Sequence, residues 1–111
     1  MEKTVNLDNL RLITGGDAAF EAELFGAFLE CSCQCIADLT AALLAENDVA
    51  WNEHAHTLKG ICANLGAHPL AELCAKAQLE SQAPPKEKKL MLIQIENEYR
   101  LVCAAIADLA A

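Results

Sequence analysis

The stretch Ala55-His56-Thr57-Leu58-Lys59-Gly60-Ile61-Cys62-Ala63-Asn64-Leu65-Gly66-Ala67 lies near the middle of the chain and combines a helical core pattern with a distinctive polar side. Apolar residues of this stretch and of the turn before it recur at steps of four and three: Trp51, Ala55, Leu58, Cys62 and Leu65. This spacing places them along one narrow stripe of an α-helix. Gly66 follows the last of them, where a glycine typically ends a helix. The stretch therefore predicts an amphipathic helix with one side in a core.

Two helices are predicted before this central one. A short first helix runs from about Asn6 to Ile13, and its apolar side consists of Leu7, Leu10 and Ile13. Gly15-Gly16 stops it, and Asp17 caps a long second helix because its carboxylate can accept from free N–H groups. The apolar stripe of the second helix contains Phe20, Leu24, Phe28, Cys31, Cys35, Leu39 and Ala42. We expect this helix to end near Glu46-Asn47, and Asp48 to cap the central helix.

Two further helices are predicted after it. Pro69 opens the fourth helix, where a first-turn proline is favourable, and the inward residues are Leu70, Leu73, Cys74 and Ala77. Pro84-Pro85 breaks the chain, and the last helix repeats apolar residues at heptad spacing: Leu92, Ile95, Tyr99, Val102, Ile106 and Leu109. No segment alternates as a β-strand does. We therefore expect an all-α fold, an antiparallel four-helix bundle spanning residues 1–111, with a short additional N-terminal helix at one end.

The composition favours one globular domain with an acidic surface. The chain has 111 residues, 54% of them hydrophobic, and a formal net charge of -8. This charge disfavours nucleic acid and anionic lipid as partners and favours a basic or mixed protein surface. The apolar runs are too short to span a bilayer, and Met1-Glu2-Lys3-Thr4 lacks the apolar core of a signal peptide. We expect a cytoplasmic protein without a membrane anchor.

The cysteines all lie within helical patterns: Cys31, Cys33, Cys35, Cys62, Cys74 and Cys103. We expect them to be small buried hydrophobic residues in a reducing compartment rather than disulfide partners. Cys31 and Cys35 share a helix face, but no second pair of ligands lies at zinc-finger spacing. The sequence therefore predicts no structural metal.

One histidine lies on the polar side of the central helix. At about 100° per residue, His56 points about 140° away from the centre of the apolar stripe, which is outward. Gly60 and Ala63 follow on nearly the same bearing, Lys59 lies at the edge of that face, and Asn52 lies one turn earlier.

The other two histidines have a different placement. His54 lies nearer the core edge, and His68 directly precedes Pro69 at a helix start. We expect both to be structural, and neither pairs with His56 at metal-ligand spacing on one face.

The residue types around His56 suit phosphoryl exchange. An imidazole in water is largely a neutral nucleophile at neutral pH. Lys59 can offset the negative charge of a phosphoryl group. A glycine inside a helix costs about 1 kcal/mol relative to alanine, so Gly60 on the wet side indicates that another molecule approaches closely there.

The sequence lacks the parts of an ATP-dependent kinase. It contains no glycine-rich phosphate loop, no strand-borne lysine and no acidic cluster arranged for Mg²⁺. The chain is therefore expected to be neither an autokinase nor an enzyme in its own right. Any phosphoryl group on His56 has to come from a partner.

Nearly the whole sequence resembles the histidine-containing phosphotransfer (Hpt) domain family of two-component phosphorelays. The resemblance begins with Leu10-Arg11-Leu12-Ile13-Thr14-Gly15-Gly16-Asp17, centres on residues 55–60 and 63–67, and continues through residues 70–80. It implies that His56 accepts a phosphoryl group from the aspartyl phosphate of one receiver domain. The group then passes to the aspartate of another receiver.

The resemblance also implies roles for neighbouring residues. Lys59 steadies the phosphoryl oxygens, and Gln78 falls where the family often has a glutamine that hydrogen-bonds near the histidine. Asn52, Gly60 and Ala63 are expected to form the docking surface. The implied partners are receiver domains of response regulators or hybrid sensor histidine kinases. The receiver domains are expected to supply Mg²⁺, because the chain is expected to have no cofactor of its own. We also expect the chain to act as a monomer.

Two other classes of function stay open. A module that binds and sequesters receivers, without carrying phosphate, needs none of His56, Lys59 or Gly60. A four-helix cofactor or metal carrier needs inward-facing ligands, whereas the histidines here are outward or marginal. Met1 and the end at Ala111 favour a free-standing protein over a segment of a hybrid kinase.

Overall fold

Residues 3–110 are described in this computed structural model, and they contain five helices and no strand. The helices are α1 (Asp8–Thr14), α2 (Ala18–Leu44), α3 (Asp48–Leu65), α4 (His68–Leu79) and α5 (Pro85–Ala110). The all-α fold is confirmed. Met1, Glu2 and Ala111, on which the expectations about the chain ends rest, lie outside the described residues.

The four longer helices pack as a closed ring around one core. α3 packs against α2 and α4, and α5 packs against α4 and α2. Contacts between α2 and α3 run in opposite order along the two helices. Asp38, late in α2, lies near His54, early in α3. Cys31, earlier in α2, lines a groove with Ile61, late in α3. These contacts fit the antiparallel arrangement that the sequence predicts.

The predicted stripe of α3 is confirmed, since each of its residues is buried: Trp51, Ala55, Leu58, Cys62 and Leu65. The stripe of α5 is confirmed for Leu92, Ile95, Val102 and Ile106, which are buried, and Tyr99 packs against the core. Leu109 was expected to face inward, which is wrong because it is 42% exposed near the end of α5.

The inward residues of α1 and α2 differ in part from the prediction. Ile13 is 78% exposed, because α1 is short and covers the bundle only through Leu10. Phe20 is 46% exposed and Cys31 is exposed, so these two predicted core positions are also wrong.

Phe25 and Ser32 take the inward positions of α2 instead. α2 packs against both α3 and α5, so its buried face is broader than one stripe and is turned toward these residues. Ser32 is tolerated inside because its Oγ donates to the Phe28 carbonyl oxygen (2.6 Å) and shares a hydrogen bond with the Tyr99 hydroxyl (2.9 Å).

The ends of α2 and α3 are fixed by local side chains. The predicted N-cap Asp17 is confirmed, since its carboxylate accepts from the Phe20 N–H at 3.1 Å. The prediction that Asp48 caps α3 is wrong: the cap is Asn47, whose Oδ1 accepts from the Ala50 N–H at 3.0 Å. α2 ends at Leu44, slightly earlier than expected.

Gly66 ends α3 as predicted and also makes room for the N-terminal segment. Its φ of 91° lies in the left-handed region, which other residues rarely adopt. The Asn6 carbonyl oxygen lies where a side chain at this position would start, and the Asn6 N–H donates to the Gly66 carbonyl oxygen at 2.9 Å. Glycine is therefore required both by the backbone and by the close approach.

The cysteines are free and are divided between core and surface. Cys35, Cys62 and Cys74 are buried, as expected, and Cys103 is half-buried. Cys31 and Cys33 are exposed, so the expectation of burial is wrong for them.

One described helix, α2, has the length and mean hydropathy (1.4 over an 18-residue window) of a membrane-spanning segment. The core helix of a helical bundle meets the same criterion, and α2 packs against α3 and α5. The hydropathy of α2 therefore does not identify a membrane protein.

Lys88 is a charged residue in the interior. Its side chain is 4% exposed, and its ammonium pairs with Asp48 and lies 5.4 Å from the centre of the Trp51 ring. Asp48 is 50% exposed and stays hydrated on its outer side. The pair joins the start of α5 to the start of α3.

The two partners of this pair should differ in their contribution to stability. Asp48→Ala leaves the ammonium buried without its anion and should lower the free energy of unfolding by about 3 kcal/mol. Lys88→Met leaves a hydrated carboxylate and should cost about 1 kcal/mol or less. Urea unfolding of both variants and of the double variant measures the difference. Equal losses in the two single variants would contradict the burial asymmetry.

Three weak acids, two buried and one half-buried, make stability sensitive to high pH. Burial raises the pKa of Cys35, and a hydrogen bond to Cys74 together with burial raises the pKa of Cys62. Burial raises the pKa of Tyr99 to about 12, although its hydrogen bond to Ser32 acts in the other direction. Each group therefore keeps its proton longer in the folded state than in the unfolded chain.

The sign of the pH dependence follows from these raised pKa values. The unfolded chain releases its protons first, so stability is complete below the unfolded pKa values and falls as pH rises above about 9. Urea midpoints under reducing conditions should fall from pH 8 to pH 11. Tyr99→Phe should flatten the part of the decline above pH 10. A constant midpoint over this range would contradict the prediction.

Candidate functional site

His56 lies in the middle of α3, on the side opposite the buried stripe. The packing of Ala55 and Leu58 fixes the backbone here. Ala55 precedes His56 and Leu58 follows it by two residues, and both are fully buried. The imidazole is exposed. The helix therefore presents this side chain to solvent from a rigid base, as the sequence predicts.

The structure brings Gln78 of α4 to the imidazole. The Gln78 Nε2 atom lies 3.2 Å from His56 Nδ1, and Gln78 itself is half-buried in the last turn of α4. Within residues 3–110, no hydrogen bond is made to the other ring nitrogen, Nε2. Among the described residues, one ring nitrogen is thus held by the protein while the other has no hydrogen-bond partner.

The direction of the Gln78 hydrogen bond sets the position of the ring proton. When Gln78 Nε2 donates, Nδ1 is the acceptor and the proton of a neutral ring lies on Nε2. A half-turn of the amide brings Oε1 to the ring instead, and the Nδ1 N–H then donates. In that arrangement Nε2 carries a free lone pair, so the nucleophilic form is reached by rotating one amide.

Lys59, Gly60 and Ala63 lie on the surface around the imidazole. Lys59 is half-buried, and within the described part of the chain it makes no ion pair. Gly60 and Ala63 are exposed, and a side chain carbon added at Gly60 would meet nothing within 4 Å. The packing of this protein therefore gives no reason for a glycine at position 60.

Asn52 makes a contact that its place on the helix face does not predict. Its Nδ2 donates to the main-chain carbonyl oxygen of Gln78 at 3.1 Å, and its side chain is half-buried. The neighbouring Trp51 donates from Nε1 to the Ala77 carbonyl oxygen at 2.9 Å. The one sequence signal for these bonds is that a buried indole N–H requires an acceptor. The expected docking role of Asn52 stays a prediction.

The other histidines lie apart from this site. His54 is half-buried with its Nδ1 3.7 Å from Asp38 Oδ2, which links α3 to α2. His68 is exposed as the first residue of α4. Among residues 3–110, no group of three or more His, Cys, Asp or Glu side chains could hold a metal ion.

Two hollows border α3, one polar and one apolar, and His56 lines neither of them. A polar hollow of about 330 Å³ lies beside Asn52 and Glu53, and it is bordered by Ser81 and Gln82 after α4. An apolar groove of about 250 Å³ lies between α1, α2 and α3 and includes Ile61.

A groove of about 660 Å³ lies elsewhere, between the end of α2 and the start of α5. Its walls include Leu43, Leu92 and Ile93, and none of the candidate site residues lines it. The groove is therefore separate from the His56 surface.

Comparison with known proteins gives one finding. The family model of the Hpt domain matches residues 23–109, which include all of α3 and α4 and every candidate site residue. Neither the curated proteins nor the solved structures give a match. Hpt domains are helical bundles that act as histidine phosphotransfer intermediates in two-component phosphorelays. The chain belongs to the Hpt domain family.

Proposed function

We propose that this protein carries a phosphoryl group between receiver-domain aspartates on Nε2 of His56. The observation that supports this most directly is the exposed imidazole, with Nδ1 on Gln78 and no hydrogen bond to Nε2 from the described residues. A histidine that is merely a solvated polar residue on a helix surface needs no hydrogen bond from a second helix. A nucleophilic Nε2 needs the ring proton on Nδ1, where Gln78 holds it once its amide is turned to present Oε1.

The proposed step is an in-line displacement. The lone pair of His56 Nε2 attacks the phosphorus of an aspartyl phosphate, the N–P bond forms, and the P–O bond to the aspartate breaks with its electron pair leaving on the carboxylate. The ring becomes cationic, and the proton on Nδ1 stays there, donated to Gln78 Oε1. The reverse step transfers the group to a second aspartate, and catalysis comes from positioning and electrostatics.

Lys59 and Gly60 serve the same step in different ways. Lys59 lies one turn from His56 and has no ion pair within residues 3–110, so its ammonium is available to the phosphoryl oxygens. Gly60 lies one turn from His56 on its C-terminal side and leaves the surface low beside the imidazole. A receiver can therefore bring its aspartate in line with Nε2.

The partner supplies what this chain lacks. In the proposal, the activated phosphoryl group and the Mg²⁺ belong to the receiver domain, and this chain acts as a monomeric cytoplasmic intermediate without autokinase activity. The net charge of -8 favours receivers with a basic or mixed docking surface. A transient relay requires rapid release, so the interface is expected to be small.

The first test replaces the phosphoacceptor. His56→Gln, incubated with a phosphorylated receiver, should retain no acid-labile phosphate, because glutamine cannot form the N–P bond. His68→Gln is the matched control, since His68 is also exposed on a helix, and it should be phosphorylated like the natural chain. Mass spectrometry under neutral conditions measures both.

Two outcomes would contradict the proposal. Phosphate on the His56→Gln variant would place the acceptor elsewhere. Binding of receivers by the natural chain, with no phosphate transfer from any of them, would favour a sequestering module.

The second test separates stability from docking at Gly60. Gly60→Ala should raise the free energy of unfolding by up to about 1 kcal/mol, because alanine is the better helix former. It should slow transfer from a receiver, because the added methyl group lies beside the imidazole. Gly26→Ala on α2 is the control, since it is also an exposed helical glycine without neighbours within 4 Å.

Gly26→Ala should stabilise the protein to a similar extent and leave transfer unchanged. Urea unfolding and transfer rates are measured on both variants. Unchanged transfer in Gly60→Ala would show that clearance at this position is not used.

A further inference from the structure

We propose that Asn52 is a positioning residue for the phosphoacceptor, acting through Gln78. This inference rests on the proposed function and adds a residue to its machinery. Asn52 holds the main chain at the end of α4, and the Gln78 side chain from the same place holds the imidazole of His56. In the proposal, Asn52 positions Gln78, and Gln78 positions the imidazole of His56.

The end of α4 is fixed by side chains of α3. The last carbonyl groups of a helix have no partner within it and need one from outside. Here Ala77 O accepts from the Trp51 indole at 2.9 Å, and Gln78 O accepts from Asn52 at 3.1 Å. Two consecutive residues of α3 thus satisfy two consecutive carbonyl groups of α4.

No left-handed residue closes α4. The C-cap is Glu80, with φ -101° and ψ 34°, and its N–H donates to Lys76 O. The usual left-handed glycine cap, which would hold the end of a helix by itself, is therefore missing at this end. The position of Gln78 depends on the contacts from α3.

Gln78 is held at two points one helical turn apart. Asn52 and His56 are separated by four residues of α3, a rise of about 6 Å. The Gln78 carbonyl group is bound at the first point and its side-chain amide at the second. Without the hydrogen bond from Asn52, the main chain of Gln78 is held less firmly. The hydrogen bond between the Gln78 amide and His56 Nδ1 is then formed for a smaller fraction of the time.

Asn52 is a better test of this arrangement than Trp51. Trp51 is fully buried, so its replacement would leave a large cavity in the core. Asn52 is half-buried at the surface, and Asn52→Ala removes the donor with little loss of core packing. Asn52→Leu keeps a comparable volume without a donor and serves as a second variant.

The first readout is the imidazole itself, without phosphate. Long-range ¹H–¹⁵N spectra of the unphosphorylated protein report the proton distribution between the two nitrogens of each histidine ring. In the natural chain, His56 should differ from the exposed His68. In Asn52→Ala and Asn52→Leu, it should move toward the pattern of His68. Asn64→Ala, an exposed asparagine of the same helix, should leave His56 unchanged.

The second readout is the rate of phosphorylation by phosphoramidate, a small donor that needs no docking surface. Asn52→Ala should be slower by about three- to tenfold, the usual effect of one hydrogen bond. Gln78→Ala should also be slower, and the double variant should be no slower than Gln78→Ala. Such non-additivity is expected when one residue acts through the other.

The outcomes separate this inference from the proposed function. Multiplicative losses in the double variant, or an unchanged His56 spectrum in both Asn52 variants, would overturn the positioning role while phosphorylation of the natural chain continues. If the natural chain takes no phosphate from any donor, the proposed function fails, and the spectra still decide whether Asn52 orders the imidazole. Far-ultraviolet circular dichroism verifies that each variant is folded.

Discussion

The inward stripe of α3 is the interaction on which the rest of the structure depends. Its residues, Trp51 to Leu65, are buried between α2 and α4. Burial of such a stripe fixes the rotation of the helix about its axis, because any other rotation would expose apolar surface. The same rotation fixes the opposite side of the helix, so burial of the stripe holds His56 in solvent. Trp51 adds a polar link by donating to Ala77 O, which ties the end of α4 to the start of α3.

The exposed side of α3 contrasts with this well-packed side. Gly60 weakens the helix and has no neighbour within 4 Å that would require it. Among the described residues, Lys59 has no ion pair and the His56 imidazole has a hydrogen bond at one nitrogen only. These features add little to stability, but they are what a transient protein partner and a transferred phosphoryl group would use. The buried side of α3 thus provides the stability, and the exposed side carries the residues that a reaction would use.

The sequence was sufficient for the fold class, for the α3 stripe and for Gly66, because these depend on periodicity and on local backbone geometry. It was misleading at Phe20, Cys31 and Ile13, because periodicity does not show how many neighbours a helix has. α2 faces two helices, and this broadens its buried face to include Phe25 and Ser32. Contacts between distant residues were also missed: Lys88 pairs with Asp48, 40 residues away, and Asn52 binds Gln78 O, 26 residues away. A helical pattern predicts which face a residue lies on, but not which residues of the neighbouring helix lie beside it along the axis. These contacts depend on that axial alignment.

We propose that Gln78 holds the Nδ1 proton of His56 through Oε1 and thereby leaves Nε2 as the nucleophile. The measurement that tests it most directly is the identity of the nitrogen bonded to phosphorus in the phosphorylated protein, read from ³¹P–¹⁵N coupling after ¹⁵N labelling of histidine. We expect a single N–P bond, at Nε2 of His56. An N–P bond at Nδ1 of His56, or phosphorus on any other side chain, would contradict it.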